Sequence, residues 1–182
     1  MKKILAFAGS NSSTSINHQL VVATSNLIEF AQVDVVSLRD YNVHIFGVDI
    51  EAAEGSPEQM KKLMDLIKSY DGYIISTPEH NGIPPAFFLN ILDWLSRIER
   101  RIFGEKPTFL LSTSTGPKAG ISALQILENV IPRFGADVSG TYAFPSFNHN
   151  FQDANIKNEE ELNKLKNQLL FFESKILEEG VK

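Results

Sequence analysis

The chain has 182 residues, 43% of them hydrophobic, which is enough to bury a full core as one domain spanning residues 1–182. Seventeen basic and 22 acidic residues leave a net charge of −5, which argues against nucleic acid or an anionic membrane as a partner. The absence of Cys excludes disulfides, thiolate metal sites and cysteine nucleophiles, and it suits a reducing, cytoplasmic compartment.

The pattern alternates strand and helix. Residues 3–8 read as a buried strand, followed by a helix over 15–30 with Leu20, Val21, Ala23, Leu27 and Ile28 facing inward. A second strand covers 33–37, and residues 39–56 form a long connection with little pattern. A helix over 57–69 opens on Pro57, and a third strand covers 72–77. Then come a helix over 85–99, a strand over 107–112, a helix over 118–134 and a last strand over 137–144. Residues 145–156 are polar and loop-like. The final helix opens on Asn158, with Glu161 three residues on as in a capping box. Leu162, Leu165, Leu169, Phe172 and Ile176 give it one apolar stripe, expected to pack on the sheet.

Such alternation implies a parallel sheet with helices on both faces. Lys2 and Lys3 precede only a short apolar run, so no signal peptide is expected. Residues 4–28 carry no Asp, Glu, Lys or Arg but are too rich in Ser, Thr, Asn and Gln for a membrane span.

Three polar loops each follow an apolar strand: GSNSSTSIN (9–17), TPEHNGIPP (77–85) and STSTGPKAG (112–120). Loops leaving the carboxyl ends of strands form the ligand crevice of an open α/β sheet. The first runs into a helix whose N-terminus offers unpaired N–H groups and a partial positive charge. Phosphate is a natural ligand there, with the hydroxyls as further donors. An ordinary Ser-rich helix cap is the alternative. No Lys or Arg lies between Lys3 and Arg39, so any phosphate would be held by dipoles rather than cations.

In the second loop, Gly82 permits unusual dihedrals and the prolines stiffen the exit, so the exposed amides can meet the edge of a planar heterocycle. His80 has no evident partner for acid–base work, and a surface or stacking role is the simpler reading. Glu79 beside His80 lacks the spacing and companions of a metal site. Trp94 reads as core and Asp93 as a structural hydrogen-bonding residue, with an interface role as the alternative. No GxGxxG, GxxxxGK[ST] or GxSxG motif occurs, which disfavours a dinucleotide fold of the usual kind, a triphosphatase and an α/β-hydrolase.

Taken together, GS-x(4)-S-x-N, PE-[aromatic]-NG, N-x-x-DW and ST-x-x-G-x-x-x-G resemble the NAD(P)H-dependent FMN reductases, a flavodoxin-like family with azo-, quinone and chromate reductase members. The resemblance implies a five-stranded parallel sheet of order 2-1-3-4-5 in a three-layer sandwich. It also implies one FMN per subunit, NADPH or NADH as co-substrate, and a homodimer or homotetramer with the flavin near a subunit interface. Carried over by position, Ser10, Ser12, Ser15, Ile16 and Asn17 would surround the FMN phosphate. Pro78, Glu79, His80, Asn81 and Gly82 would line the ring, and Ser112, Thr113, Ser114 and Gly116 would close its other side. No catalytic acid or base and no metal is implied, because the flavin carries the chemistry.

The chain departs from the pattern in places. Ser12 stands where many members have Arg, His80 where Tyr is usual, Ile83 where Ser follows the NG pair, Leu89 where Lys is frequent, and Ala119-Gly120 where two glycines are usual. The expected activity is an oxidoreductase passing electrons from a nicotinamide through FMN to a small acceptor such as a flavin, quinone or azo compound. The rival expectation is an FMN-binding electron carrier or redox partner without its own nicotinamide site. Such carriers tend to be strongly acidic for docking, and −5 is only mildly so. A flavin-free relative is a third.

Overall fold

A computed structural model describes residues 1–178. Five parallel strands, β1 (Lys3–Ala8), β2 (Gln32–Ser37), β3 (Gly72–Thr77), β4 (Lys106–Thr113) and β5 (Ala136–Phe144), lie in the expected order 2-1-3-4-5. The strands follow the anticipated ones to within a residue or two.

Period-two alternation decides which side chain joins which layer. In β1, Leu5 and Phe7 enter one core while Ile4, Ala6 and Ala8 enter the other. In β3, Tyr73 and Ile75 divide from Ile74 in the same way, and in β4 Leu110 divides from Phe109 and Leu111. Helices α3 (Glu58–Lys68), α4 (Ala86–Ile98) and α5 (Ile121–Val130) cover the first face. Helices α1 (Ile16–Ser25) and α7 (Glu159–Glu178) cover the second. Each fully buried Leu, Ile or Phe contributes roughly 1.5–3 kcal/mol, so these two layers dominate the stability of the fold.

Four segments differ from the expectation. The helix over 15–30 stops at Ser25, where the hydrogen bonds tighten from Asn26 N–H to Val22 O into Leu27 N–H to Thr24 O. Leu27 and Ile28 still pack against the core, so their apolar signal was real although their backbone is not helical. The helix over 118–134 begins only after Gly120, which is left-handed, and ends at Val130. Ile131–Phe134 then forms a 3₁₀ turn containing Pro132. The connection 39–56 and the segment 145–156 carry short elements that no periodicity announces. These are a 3₁₀ turn (Leu38–Tyr41), α2 (Val48–Glu54), α6 (Phe147–Asn150) and the small hairpin β6 (Phe151–Gln152) with β7 (Asn155–Ile156).

Asn158 caps α7 as its position suggests, Oδ1 accepting from the Glu160 and Glu161 N–H groups. Glu161 does not reach back to complete a reciprocal box. It turns inward instead, accepting from the Tyr142 hydroxyl of β5 and from Lys164 Nζ at 2.9 Å. Burial raises its pKa, but the bonds from Tyr142 and Lys164 outweigh that and leave the carboxyl below its ordinary value. A carboxyl lowered in the folded state stabilises above its unfolded pKa, and the contribution is lost as pH falls through the folded value. Glu161→Gln is therefore expected to lower stability by about 1–2 kcal/mol near pH 7. The gap from the parent should close below about pH 4 in thermal melts across a pH series. A pH-independent gap would assign the effect to packing instead.

Candidate functional site

The carboxyl ends of β1, β3 and β4 bring the three loops to one edge of the sheet. There they enclose a cavity of about 320 Å³ lined by Ser10, Ser12, Thr14, Ser15, Ile16, Asn17, Pro78, Glu79, His80, Thr113, Ser114 and Thr115. No Lys or Arg is among these residues. Ser15 is the N-cap of α1, its Oγ accepting from the His18 N–H at 3.2 Å. The N–H groups of the first helical turn have no acceptor within the helix. The loop hydroxyls are organised locally: Ser10 Oγ accepts from Ser12 N–H, and Ser12 Oγ from Thr14 N–H. An anion entering this edge meets the positive end of a helix dipole and a ring of hydroxyl donors.

The second loop is a tight reverse turn. His80 and Ile83 exchange backbone hydrogen bonds, 2.9 Å from His80 N–H to Ile83 O and 3.2 Å in return. Asn81 and Gly82 between them have φ of 54° and 83°, the primed-turn conformation that an Asn-Gly pair adopts at low cost. Pairing 80 with 83 sends both side chains to the same face of the turn. His80 lies on the cavity wall, exposed to solvent, while Asn81 and Gly82 form the tip and lie outside the lining. Glu79 is committed elsewhere, since its Oε2 accepts from the Ala123 N–H at 3.2 Å in the first turn of α5. Gly120 offers that helix no side-chain cap, so the second loop supplies one from across the crevice. Nothing in the spacing of residues 79 and 123 announces this bond.

The third loop is held from within. Ser112 is fully buried and its Oγ donates to Ala119 O at 2.8 Å, closing the loop on itself. Gly116 O accepts from Ser146 N–H and Ala119 N–H, anchoring the loop to the start of α6. Ser112 and Gly116 thus shape the loop, whereas Thr113, Ser114 and the unanticipated Thr115 face the cavity. Thr14, one of the first-loop hydroxyls, also lines the cavity, although the family pattern does not place it at the phosphate.

A larger groove of about 460 Å³ adjoins the first loop at Asn11, between residues 42–45 and the start of α4. Two side chains one helical turn apart fix that strap. Asn90 accepts from Phe46 N–H at 2.7 Å and donates to His44 O, and Trp94 Nε1 also donates to His44 O at 3.0 Å. The rings of His44 and Phe46 meet the fully buried Trp94 edge-on. Trp94 is core, as expected. Asp93 stands at the groove rim, where desolvation raises its carboxyl above the ordinary value. Among the described residues, no cluster of three metal-ligating side chains occurs, and no helix is long and apolar enough to cross a membrane.

The fold and this edge define a flavodoxin-like α/β protein whose polar loops are suited to a phosphorylated planar ligand. Over residues 2–149 the chain belongs to the NADPH-dependent FMN reductase family. It is 28% identical over 130 residues to the quinone reductase of Escherichia coli strain K12, a match covering 71% of this chain and 69% of that one. With the NADPH azoreductase of Bacillus sp. strain OY1-2 it shares 36% identity over 93 residues, 51% of this chain and 47% of the relative. Its fold superposes with a TM-score of 0.80 on a flavoenzyme NAD(P)H:(acceptor) oxidoreductase from Paracoccus denitrificans, at 22% identity and 98% coverage of both chains. The protein is thus an oxidoreductase that uses FMN as cofactor and NAD(P)H as co-substrate. The donor set fits FMN. Neutral hydroxyls at a helix N-terminus suit a phosphate, and facing backbone from two short loops suits the edges of a flat ring.

Proposed function

We propose that the whole 182-residue chain works as one FMN-binding domain that reduces a small oxidised acceptor, a free flavin, quinone or azo compound, at the expense of NADH or NADPH. The observation that carries this reading is the meeting of all three loops around one cavity with only neutral donors at the α1 N-terminus. The relatives' names, quinone reductase and azoreductase, support the acceptor class.

Ser10, Ser12, Ser15 and the first-turn N–H groups of Ile16 and Asn17 receive the phosphate. Pro78, His80 and the Asn81-Gly82 turn meet one edge of the ring, with Glu79 bracing that loop. Thr113 and Ser114, on the loop shaped by Ser112 and Gly116, meet the other. FMN bound there supplies the hydride relay between nicotinamide and acceptor. The protein's part is to orient the ring, leave one face open for the two substrates in turn, and exclude bulk water from the other. No side chain is required to act as acid or base.

A cytoplasmic homodimer is part of the proposal. Ile45, which lines the groove that adjoins the first loop, is 80% exposed, and Val48 three residues on is 70% exposed, an apolar surface that a second copy would cover.

The test is anaerobic reduction. The purified protein should be yellow or turn yellow with FMN, and NADH or NADPH should bleach the 450 nm region (about) within seconds. A yellow protein that neither nicotinamide bleaches would establish the electron carrier instead. A chain that refuses FMN would overturn both readings.

A further inference from the structure

The carboxamide of Asn17 is buried at the loop edge, on a residue only 3% exposed. Its Nδ2 donates to Thr113 O at 3.1 Å, and its Oδ1 accepts from Thr113 N–H at 3.1 Å. A side-chain amide thus pairs with a main-chain peptide as a strand neighbour would, across 96 residues of sequence. The same Oδ1 accepts from the Ser76 hydroxyl at 2.8 Å. Thr113 in turn donates its own hydroxyl to Phe144 O at 2.7 Å. One connected network therefore runs from α1 through β3 and β4 to β5, immediately beneath the ligand cavity.

The network fixes the orientation of the amide. Swapping Oδ1 and Nδ2 would set a donor against the Thr113 N–H and an acceptor against its C=O, losing both bonds. Both acceptor sites of Oδ1 are already used, and one of the two Nδ2 hydrogens is. The carboxamide is thereby committed to the protein at its oxygen and at one of its two N–H bonds, although the position of Asn17 in the loop motif suggests a hydrogen bond to the phosphate. Ser76 sharpens the contrast, because it is fully buried, does not line the cavity, and makes its side-chain bond to Asn17.

We propose that Asn17 is a positioning residue: it holds the first loop and the start of α1 against β3 and β4, so that the phosphate end and the ring end of the site stand in register before any flavin arrives. Preorganisation of this kind raises affinity by removing the ordering cost from the binding step. The proposal rests on the FMN reading of the site.

A double-mutant cycle decides it, with FMN affinity read by fluorescence quenching of apoprotein shown to be folded by circular dichroism. Ser76→Ala, which removes no group from the cavity, should weaken FMN about 3–10-fold, the equivalent of one lost hydrogen bond. Ser76→Thr, which keeps the hydroxyl, should recover most of that loss. Asn17→Ala should weaken FMN by about 10–100-fold, and the double variant should be no weaker than Asn17→Ala alone. In the ligand-free protein both alanine variants should lose exchange protection at the Thr113 amide while the amides of Ile74 and Leu110 keep theirs. If Ser76→Ala binds FMN as the parent does, or if its effect multiplies in full with that of Asn17→Ala, Asn17 is a direct donor and the positioning role falls. Should the parent itself fail to bind FMN, the functional reading falls with it. The Thr113 amide then decides the positioning role on its own.

Discussion

Gly9→Ala is expected to lower the stability of the ligand-free protein by about 2–3 kcal/mol and its melting temperature by roughly 5–10 °C. The reason is a single close approach. A Cβ built on Gly9 would lie 2.5 Å from Phe88 Cγ, 2.6 Å from Cδ1 and 2.9 Å from Phe88 Cβ. Those atoms are at the root of the ring rather than at a flexible tip, and Phe88 is buried in the α4 layer, edge-on to Phe7. The ring cannot swing away without breaking that layer. The backbone is equally held, because Gly9 N–H donates to Ser76 O at 2.8 Å.

Relief must come from shifting the loop, and that loop begins the phosphate site. FMN should therefore be lost on gel filtration of Gly9→Ala under conditions in which the parent retains it. Combining Gly9→Ala with Phe88→Leu should cost less than the sum of the two single changes, since each relieves the other's misfit. Strict additivity, or a melt unchanged in Gly9→Ala, would show that the contact has room to yield.

Gly9 also illustrates what a sequence discloses. Its place after an apolar strand and before a Ser-rich helix start marks a ligand loop. The partner that forbids a side chain there is 79 residues away, on a helix whose apolar stripe marks a buried face without specifying what that face meets. The strands and the stripe of α7 were legible because burial on alternating or helical positions is written in consecutive residues. Elements such as α2, α6 and the β6–β7 hairpin were not. They are short, and tertiary contacts hold them, as Arg97 of α4 holds Glu51 of α2.

The site divides along the same line. Composition pointed to Ser10, Ser12 and Ser15 as donors, and they line the cavity. The bracing roles of Glu79 on α5, of Ser112 on Ala119 and of Asn17 on Thr113 needed the folded chain. Each joins residues that only tertiary structure makes neighbours. The same residue types that bind ligands in polar loops also tie loops together, and spacing alone does not distinguish the two tasks.

Ser15→Asp separates folding from cofactor binding most sharply. Aspartate is as good an N-cap as serine and places its charge at the positive end of the α1 dipole. The ligand-free variant should therefore melt within about 0.5 kcal/mol of the parent. The FMN phosphate, with about −1.5 to −2 charge at neutral pH, needs the same end of the helix. Two like charges about 4 Å apart repel by roughly 4 kcal/mol at an effective dielectric constant near 20. No Lys or Arg lines the cavity to offset that repulsion. FMN affinity should fall by roughly 10²–10³-fold, read by flavin fluorescence titration.

Ser15→Ala supplies the opposite profile. It removes the cap that accepts from His18 N–H, so stability should drop by about 1 kcal/mol while FMN weakens only by about tenfold. Riboflavin, which lacks the phosphate, should not discriminate against Ser15→Asp beyond a few-fold. The crossing of the two rankings, stability against affinity, is what a cation-free phosphate site at the α1 N-terminus requires. Were Ser15→Asp to hold FMN as well as Ser15→Ala does, the phosphate would have to lie elsewhere on the sheet edge.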